Sequence, residues 1–168
     1  MNSETKCEKY EDMKVIYMKQ NTKKIVYAGA VWSFIFALMS FYWAAGGMIG
    51  VKSFGGVIYQ KAIERDPSFI TVVWVTGVIK LAGAVVLLLL LNMRPNTRVK
   101  KLLSQFCITA GILMMLYGVG NFITISLAGL NVLNFDLSAY AMTWRLIFWE
   151  PFWVAGGILY FLAGKRVD

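Results

Sequence analysis

Polar and apolar residues are segregated along this chain rather than interleaved. A polar stretch over residues 1–24 comes first, and four apolar runs follow at about 25–47, 70–92, 102–128 and 146–164. Each run is near the roughly 20 residues that a helix needs to cross a bilayer core of about 30 Å. Between Val78 and Leu91 the only polar side chain is that of Lys80. A soluble chain of 168 residues could not bury four such segments completely. Period-two alternation is absent and glycines sit inside the runs, which argues against a membrane β-barrel. The pattern predicts an all-α integral membrane four-helix bundle, with a single domain over 25–164, a tail over 1–24 and a short C-terminus over 165–168.

The segments between the runs carry their own signals. In the connector 48–69, Gly55 and Gly56 precede Val57, Ile58, Ala62 and Ile63, spaced as one face of a short helix lying on the membrane. Asp66-Pro67-Ser68 then reads as a helix start. The connector 93–101 is brief and holds Pro95-Asn96, which is turn chemistry, so the second and third spans are expected to be antiparallel neighbours. Asn131, Asn134 and Asp136 stand among apolar residues in 129–145, a connector expected to hug the bilayer surface or cap the bundle. In the tail, one interfacial turn of helix is expected around Met13 to Met18.

Composition agrees with the pattern: 58% of residues are hydrophobic and 15% charged, against about 45–50% and about 25% in soluble domains. A net charge of +8 could mark a nucleic-acid partner, but its distribution assigns it a different role. With connectors placed alternately on the two sides, twelve Lys and Arg fall with the termini and the 93–101 connector, and four (Lys52, Lys61, Arg65, Arg145) fall on the other side. The positive-inside rule then puts both termini in the cytoplasm and makes orientation, not nucleic acid, the purpose of the charge. The first apolar run exceeds the 7–15 residues of a signal-peptide core and is expected to stay in the membrane. Cys7 and Cys107 form no C-x-x-C and fall toward the cytoplasmic side, so a structural disulfide is not expected.

The chain contains no histidine. That removes bis-His haem, most membrane zinc sites and His-based acid–base chemistry, and no metal, cofactor or catalytic set is expected. Lys80 lies about 15 Å into its span at 1.5 Å per residue. A lysine near the bilayer centre costs roughly 2.5–3.5 kcal/mol on insertion scales and needs a partner inside the bundle. Gly77, Gly83 and Ala84 lie on its helix face and offer a seam where another helix can press close. Glu150, about 7 Å into the fourth span, is the expected partner of Lys80, with Arg145 competing for the same carboxylate. Tyr42, Trp43, Thr76, Asn121 and Thr124 lie at compatible depths, and Trp153 shares a helix face with Glu150.

Two segments echo each other: Tyr42-Trp43-Ala44-Ala45-Gly46-Gly47 and Phe152-Trp153-Val154-Ala155-Gly156-Gly157. The expectation for both glycine pairs is helix packing.

The cluster of Lys80, Glu150, Arg145, Tyr42, Trp43, Asn121 and Trp153 has two readings. It is either polar glue between helices, or the lining of an outward-facing pocket that binds or passes a small amphipathic molecule. A structural or accessory subunit, with its aromatic and glycine-rich faces docked on a partner membrane protein, is the alternative. A third reading is an enzyme on lipid or isoprenoid substrates with Glu150 as general acid or base, which a lone carboxylate serves weakly.

Phe41-Tyr42-Trp43-x-x-Gly46-Gly47, together with Trp149-Glu150-Pro151-x-Trp153-x-x-Gly156-Gly157, resembles an uncharacterised family of small bacterial four-helix membrane proteins, domain of unknown function 3995. The resemblance covers about residues 28–163 and implies a bacterial cytoplasmic-membrane protein with no established activity or cofactor. The chain departs from that pattern where Ser40 and Phe41 precede the Tyr-Trp pair in place of a histidine.

Overall fold

The computed structural model describes residues 3–94, 97–130, 132, 133 and 137–167, with side chains from residue 18 onward except 19 and 167. Pro95, Asn96, Asn131, Asn134 and Asp136, singled out above, lie outside the described residues. Six helices follow in order: α1 (Ser3–Ala44), α2 (Gly56–Ile63), α3 (Pro67–Asn92), α4 (Arg98–Gly129), α5 (Ala139–Trp144) and α6 (Glu150–Val167). A single 3-10 turn spans Val51–Ser53, and a wide π-helical turn over Arg145–Trp149 runs α5 into α6. Among the described residues there is no strand. Four stretches, Gln20–Ala44, Pro67–Asn92, Arg98–Gly129 and Ala139–Arg166, are long and apolar enough to cross a membrane. The protein is an all-α, four-helix membrane bundle.

Local chemistry places the helix starts. Asp66 caps α3 by accepting the Phe69 N–H at 2.7 Å, and Pro67 fills the first turn, where its missing N–H leaves nothing unsatisfied. The Thr97 and Ser138 hydroxyls do the same for α4 and α5, accepting from Lys100 and Ala141. Two boundaries differ from the pattern. The tail is helical from Ser3, so α1 is one rod of 42 residues rather than a tail with a single turn. The fourth span begins at Ala139 rather than 146, because Ser138 starts the helix and the π turn carries it past Pro151.

Proline explains that turn. Pro151 has no N–H for the Ile147 carbonyl, and its ring would press on the carbonyl four residues back in a regular helix. The backbone widens instead, and the Glu150 N–H bonds the Arg145 carbonyl, five residues earlier.

The bundle is two helix pairs joined along one seam. α1 packs along α3 and α4 along α6, while α1 and α6 join the pairs. Contrary to the expectation from the short connector, α3 and α4 touch only slightly; a tight connection fixes where two helices meet but not which faces they bury. Glycine decides the α4–α6 pairing. A Cβ on Gly111 would lie 2.6 Å from the Gly157 carbonyl oxygen, and one on Gly157 would lie 2.7 Å from that of Gly111, so only hydrogen at both positions allows this approach. Along the α1–α6 seam the opposite holds: Trp32 and Phe36 from α1 interleave with Phe152, Trp153 and Tyr160 from α6. Hydrogen bonds fix the register there, from Trp32 Nε1 to the Phe152 carbonyl at 3.1 Å and between the Ser33 and Tyr160 hydroxyls.

The outward surface is apolar. Ile79, Leu102 and Leu116 are each more than 60% exposed, as suits helices whose backbone is satisfied internally and whose side chains meet lipid.

Candidate functional site

Lys80 lies midway along α3, 13 residues after Pro67 and 12 before Asn92. Its face of α3 turns toward α1, and the side chain is half-buried. The ammonium donates to Ser40 Oγ at 2.8 Å, and Ser40 in turn donates to the Phe36 carbonyl at 3.1 Å. The same ammonium stands 4.0 Å from the centroid of the Phe36 ring and 5.9 Å from that of Trp153. Lys80 is therefore held by a hydroxyl and by aromatic faces, an arrangement worth more out of water than in it.

The Lys80–Glu150 pair expected from depth is not formed. Glu150 is bound by Arg145, whose Nε and Nη2 both donate to Oε1, at 3.0 and 2.8 Å. Residues five apart do not face each other on a regular α-helix. The π turn between them brings them to one side, and Lys80 meanwhile faces α1, so the sequence partner lost to the local one. The Glu150 side chain is 3% exposed and that of Arg145 17%. Oε2 of Glu150 is buried and has no hydrogen-bond partner among the described residues.

A chain of aromatic contacts runs from Phe36, beneath the Lys80 ammonium, to Trp149, the residue before Glu150. Phe36 stacks on Trp149 with centroids 6.3 Å apart, Trp149 stacks on Phe54 at 4.1 Å, and Trp43 meets Trp149 edge-on at 5.7 Å. Trp149 Nε1 donates to Ser53 Oγ at 2.7 Å, which ties the 3-10 turn to the fourth span. Trp43 Nε1 donates to the Ile49 carbonyl at 2.8 Å. Thus the structure joins Lys80 with Trp153 and joins Glu150 with Arg145, while Trp43 meets these rings from the connector side. Tyr42 is exposed and lies over Gly47. Asn121 stands apart on α4, its amide donating to the Tyr117 carbonyl one turn back at 3.0 Å.

The glycines divide in the same way. Gly77 faces the Phe41 ring, Gly83 the Tyr160 hydroxyl, Gly156 the Trp32 indole and Gly157 the backbone of α4. Gly46 and Gly47 do not pack helices. They follow the last residue of α1, and Gly46, at φ 107°, makes the left-handed turn that ends it, beneath the Arg65 guanidinium.

Two clefts open on either side of α2, at the end of the bundle that carries the 48–66 connector. The first, of about 90 Å³, is walled by Trp43, Phe54, Ile58, Phe69 and Ile70, with Arg65 as its cation. Arg65 holds a left-handed backbone at φ 53°, uncommon for a residue with a side chain. The second, of about 300 Å³, is open and lined by Gly55, Gly56, Val57, Leu137, Gln60 and Arg145, and it shares Ile58 with the first. Nothing in the sequence marked Arg65, since its importance comes from the turn between α2 and α3. The only readable hint was its position just before the helix-start signal at Asp66.

The chain is thus a small four-helix membrane protein in which an aromatic cluster adjoins a half-buried lysine and the Arg145–Glu150 ion pair. The chain belongs to the family described as protein of unknown function (DUF3995), whose model matches residues 33–160. The match begins at Ser33 and ends at Tyr160, the two residues whose hydroxyls bond across the α1–α6 seam. No curated protein and no solved structure matches the chain.

Proposed function

We propose that this protein sits in the cytoplasmic membrane of a bacterium with both termini inside, and that its outward end binds a small amphipathic anion in the clefts flanking α2. The observation that carries the reading is that each cleft pairs apolar walls with one arginine, Arg65 in one and Arg145 in the other. Concave sites with mostly apolar lining and a few placed polar groups are where small ligands bind, and a left-handed Arg65 is the kind of local strain that collects at such sites. The excess of twelve Lys and Arg over four supports the orientation. Trp43 and Phe54 of the aromatic cluster wall the first cleft, whereas Lys80 and Ser40 line neither.

The test is binding of a fluorescent long-chain carboxylate, and of the matching neutral alcohol, to the full chain in nanodiscs. The carboxylate should bind at least about tenfold more tightly than the alcohol, a difference of 1.4 kcal/mol. Arg65→Asn, which removes the cation of one cleft and tolerates the left-handed backbone, should reduce the preference. Equal affinity for both probes, or an unchanged preference in Arg65→Asn and Arg145→Gln alike, would overturn the proposal. Reporter fusions at each terminus test the orientation separately.

A further inference from the structure

On α4, Asn121 has no hydrogen-bond partner off its own helix among the described residues, although the Tyr117 ring one turn back meets Trp153 of α6 edge-on at 5.2 Å. Tyr117, Gly120, Asn121 and Thr124 occupy neighbouring positions on α4, at the spacings that share a helix face. The Asn121 amide lies eight residues, about 12 Å, inside the end of α4 at Gly129. Among the described residues it bonds only its own helix, giving one N–H to the Tyr117 carbonyl. A carboxamide has two N–H donors and a carbonyl acceptor, so one N–H and Oδ1 are left over at a half-buried position of a membrane-crossing helix. Beside it, a Cβ built on Gly120 would meet no atom within 4 Å. The contrast with the other glycines of this helix is sharp, since Gly111 and Gly118 are both filled by α6.

We infer that α4 is a dimerisation helix, and that the occupant of this face is a second copy of the same chain. The leftover groups of Asn121 are self-complementary: across a twofold axis, the free N–H of each amide meets the free Oδ1 of the other. An isologous contact of this kind requires that one patch satisfy itself, which a lone donor or a lone charge could not do. Gly120 lets the two backbones approach at the crossing point, as small residues do between membrane helices. The basic start of α4 at Arg98, Lys100 and Lys101 lies about 30 Å from Asn121 along the axis, so helices crossing at Gly120 hold those charges apart. The clefts beside α2 are formed by other elements, and this inference is independent of what they bind.

Two measurements test it on the full chain. In native membranes, oxidation of Gly120→Cys should give a reducible dimer that neither the wild type, which retains Cys7 and Cys107, nor Ile79→Cys on the lipid face of α3 gives. By native mass spectrometry or single-molecule photobleaching in nanodiscs, Asn121→Leu should weaken the dimer about 3- to 20-fold, the range interhelical polar contacts supply. Asn121→Gln should restore part of the affinity. A monomer at every loading, equal cross-linking through Ile79→Cys, a dimer indifferent to Asn121→Leu, or a different protein cross-linked through Gly120→Cys would each overturn the inference.

Discussion

The ammonium of Lys80 lies 4.0 Å from the centroid of the Phe36 ring, and Phe36, at 2% exposure, is among the most enclosed aromatic residues of the bundle. A cation placed midway along a membrane-crossing helix is thus met by the negative face of a ring and by one hydroxyl, with no carboxylate at salt-bridge distance among the described residues. The charge and its ring should behave as one energetic unit. In a double-mutant cycle on the purified protein, Lys80→Met and Phe36→Leu should couple by about 1–2 kcal/mol. Lys80→Met and Glu150→Gln should add to within about 0.5 kcal/mol. Chemical denaturation in mixed micelles measures both, and strong Lys80–Glu150 coupling would contradict the arrangement described above.

Arg145 and Glu150 should show the asymmetry of a buried ion pair. Breaking such a pair by neutralising one partner costs about 3–5 kcal/mol, because the other charge is stranded, whereas replacing both with apolar groups is often nearly neutral. Glu150→Gln and Arg145→Met should each lower the melting temperature clearly. The double variant Arg145→Met/Glu150→Leu should recover most of the loss, as followed by differential scanning fluorimetry.

The α4–α6 contact should not tolerate a methyl group at its closest points. In Gly157→Ala the new carbon would meet backbone atoms, which cannot move aside, and a loss of about 1–3 kcal/mol is expected from overpacking. At Gly29 the nearest atom to an added methyl is the flexible end of Leu87, at 3.1 Å. Gly29→Ala should therefore lie within about 1 kcal/mol of the wild type by the same melting assay, its helix-propensity gain offsetting the crowding.

Trp149 should anchor the first long connector through a single hydrogen bond. Trp149→Phe keeps the stacked ring and loses the bond to Ser53, which is worth about 1 kcal/mol. Amide exchange over residues 48–55 should accelerate about fivefold, as it should in Ser53→Ala, and the two changes together should do little more than either alone.

Much of this molecule could be read from the order of its residues, and the exceptions have physical causes. The four crossings, the surface helix at Gly56–Ile63 and the Asp66 cap follow from apolar length, face spacing and turn chemistry, which are local properties. Partner choice is not local. Depth along two helices suggested Lys80 with Glu150, but depth fixes only one coordinate, and the rotation of each helix decided otherwise. The hexapeptide echo makes the same point: Gly46-Gly47 ends one helix in a left-handed turn, while Gly156-Gly157 passes through the middle of another against Trp32 and Gly111. Identical letters gave opposite outcomes because one copy meets the end of a span and the other a neighbouring backbone. Pro151 stands inside an apolar run, where proline interrupts the regular ladder, and whether the chain kinks, breaks or widens there depends on what it packs against.

The widened turn before Pro151 acts as a phase shifter in the fourth span. One extra residue in a helix advances everything beyond it by about 100°. Ahead of the turn, Ala141 meets Gly55 in the connector; beyond it, Gly157 meets Gly111 in α4. A chain with one residue deleted between Arg145 and Trp149 could still form a continuous helix, but it could satisfy only one of these two contacts. The turn therefore sets the orientation of the cleft-bearing connector relative to that of the bundle.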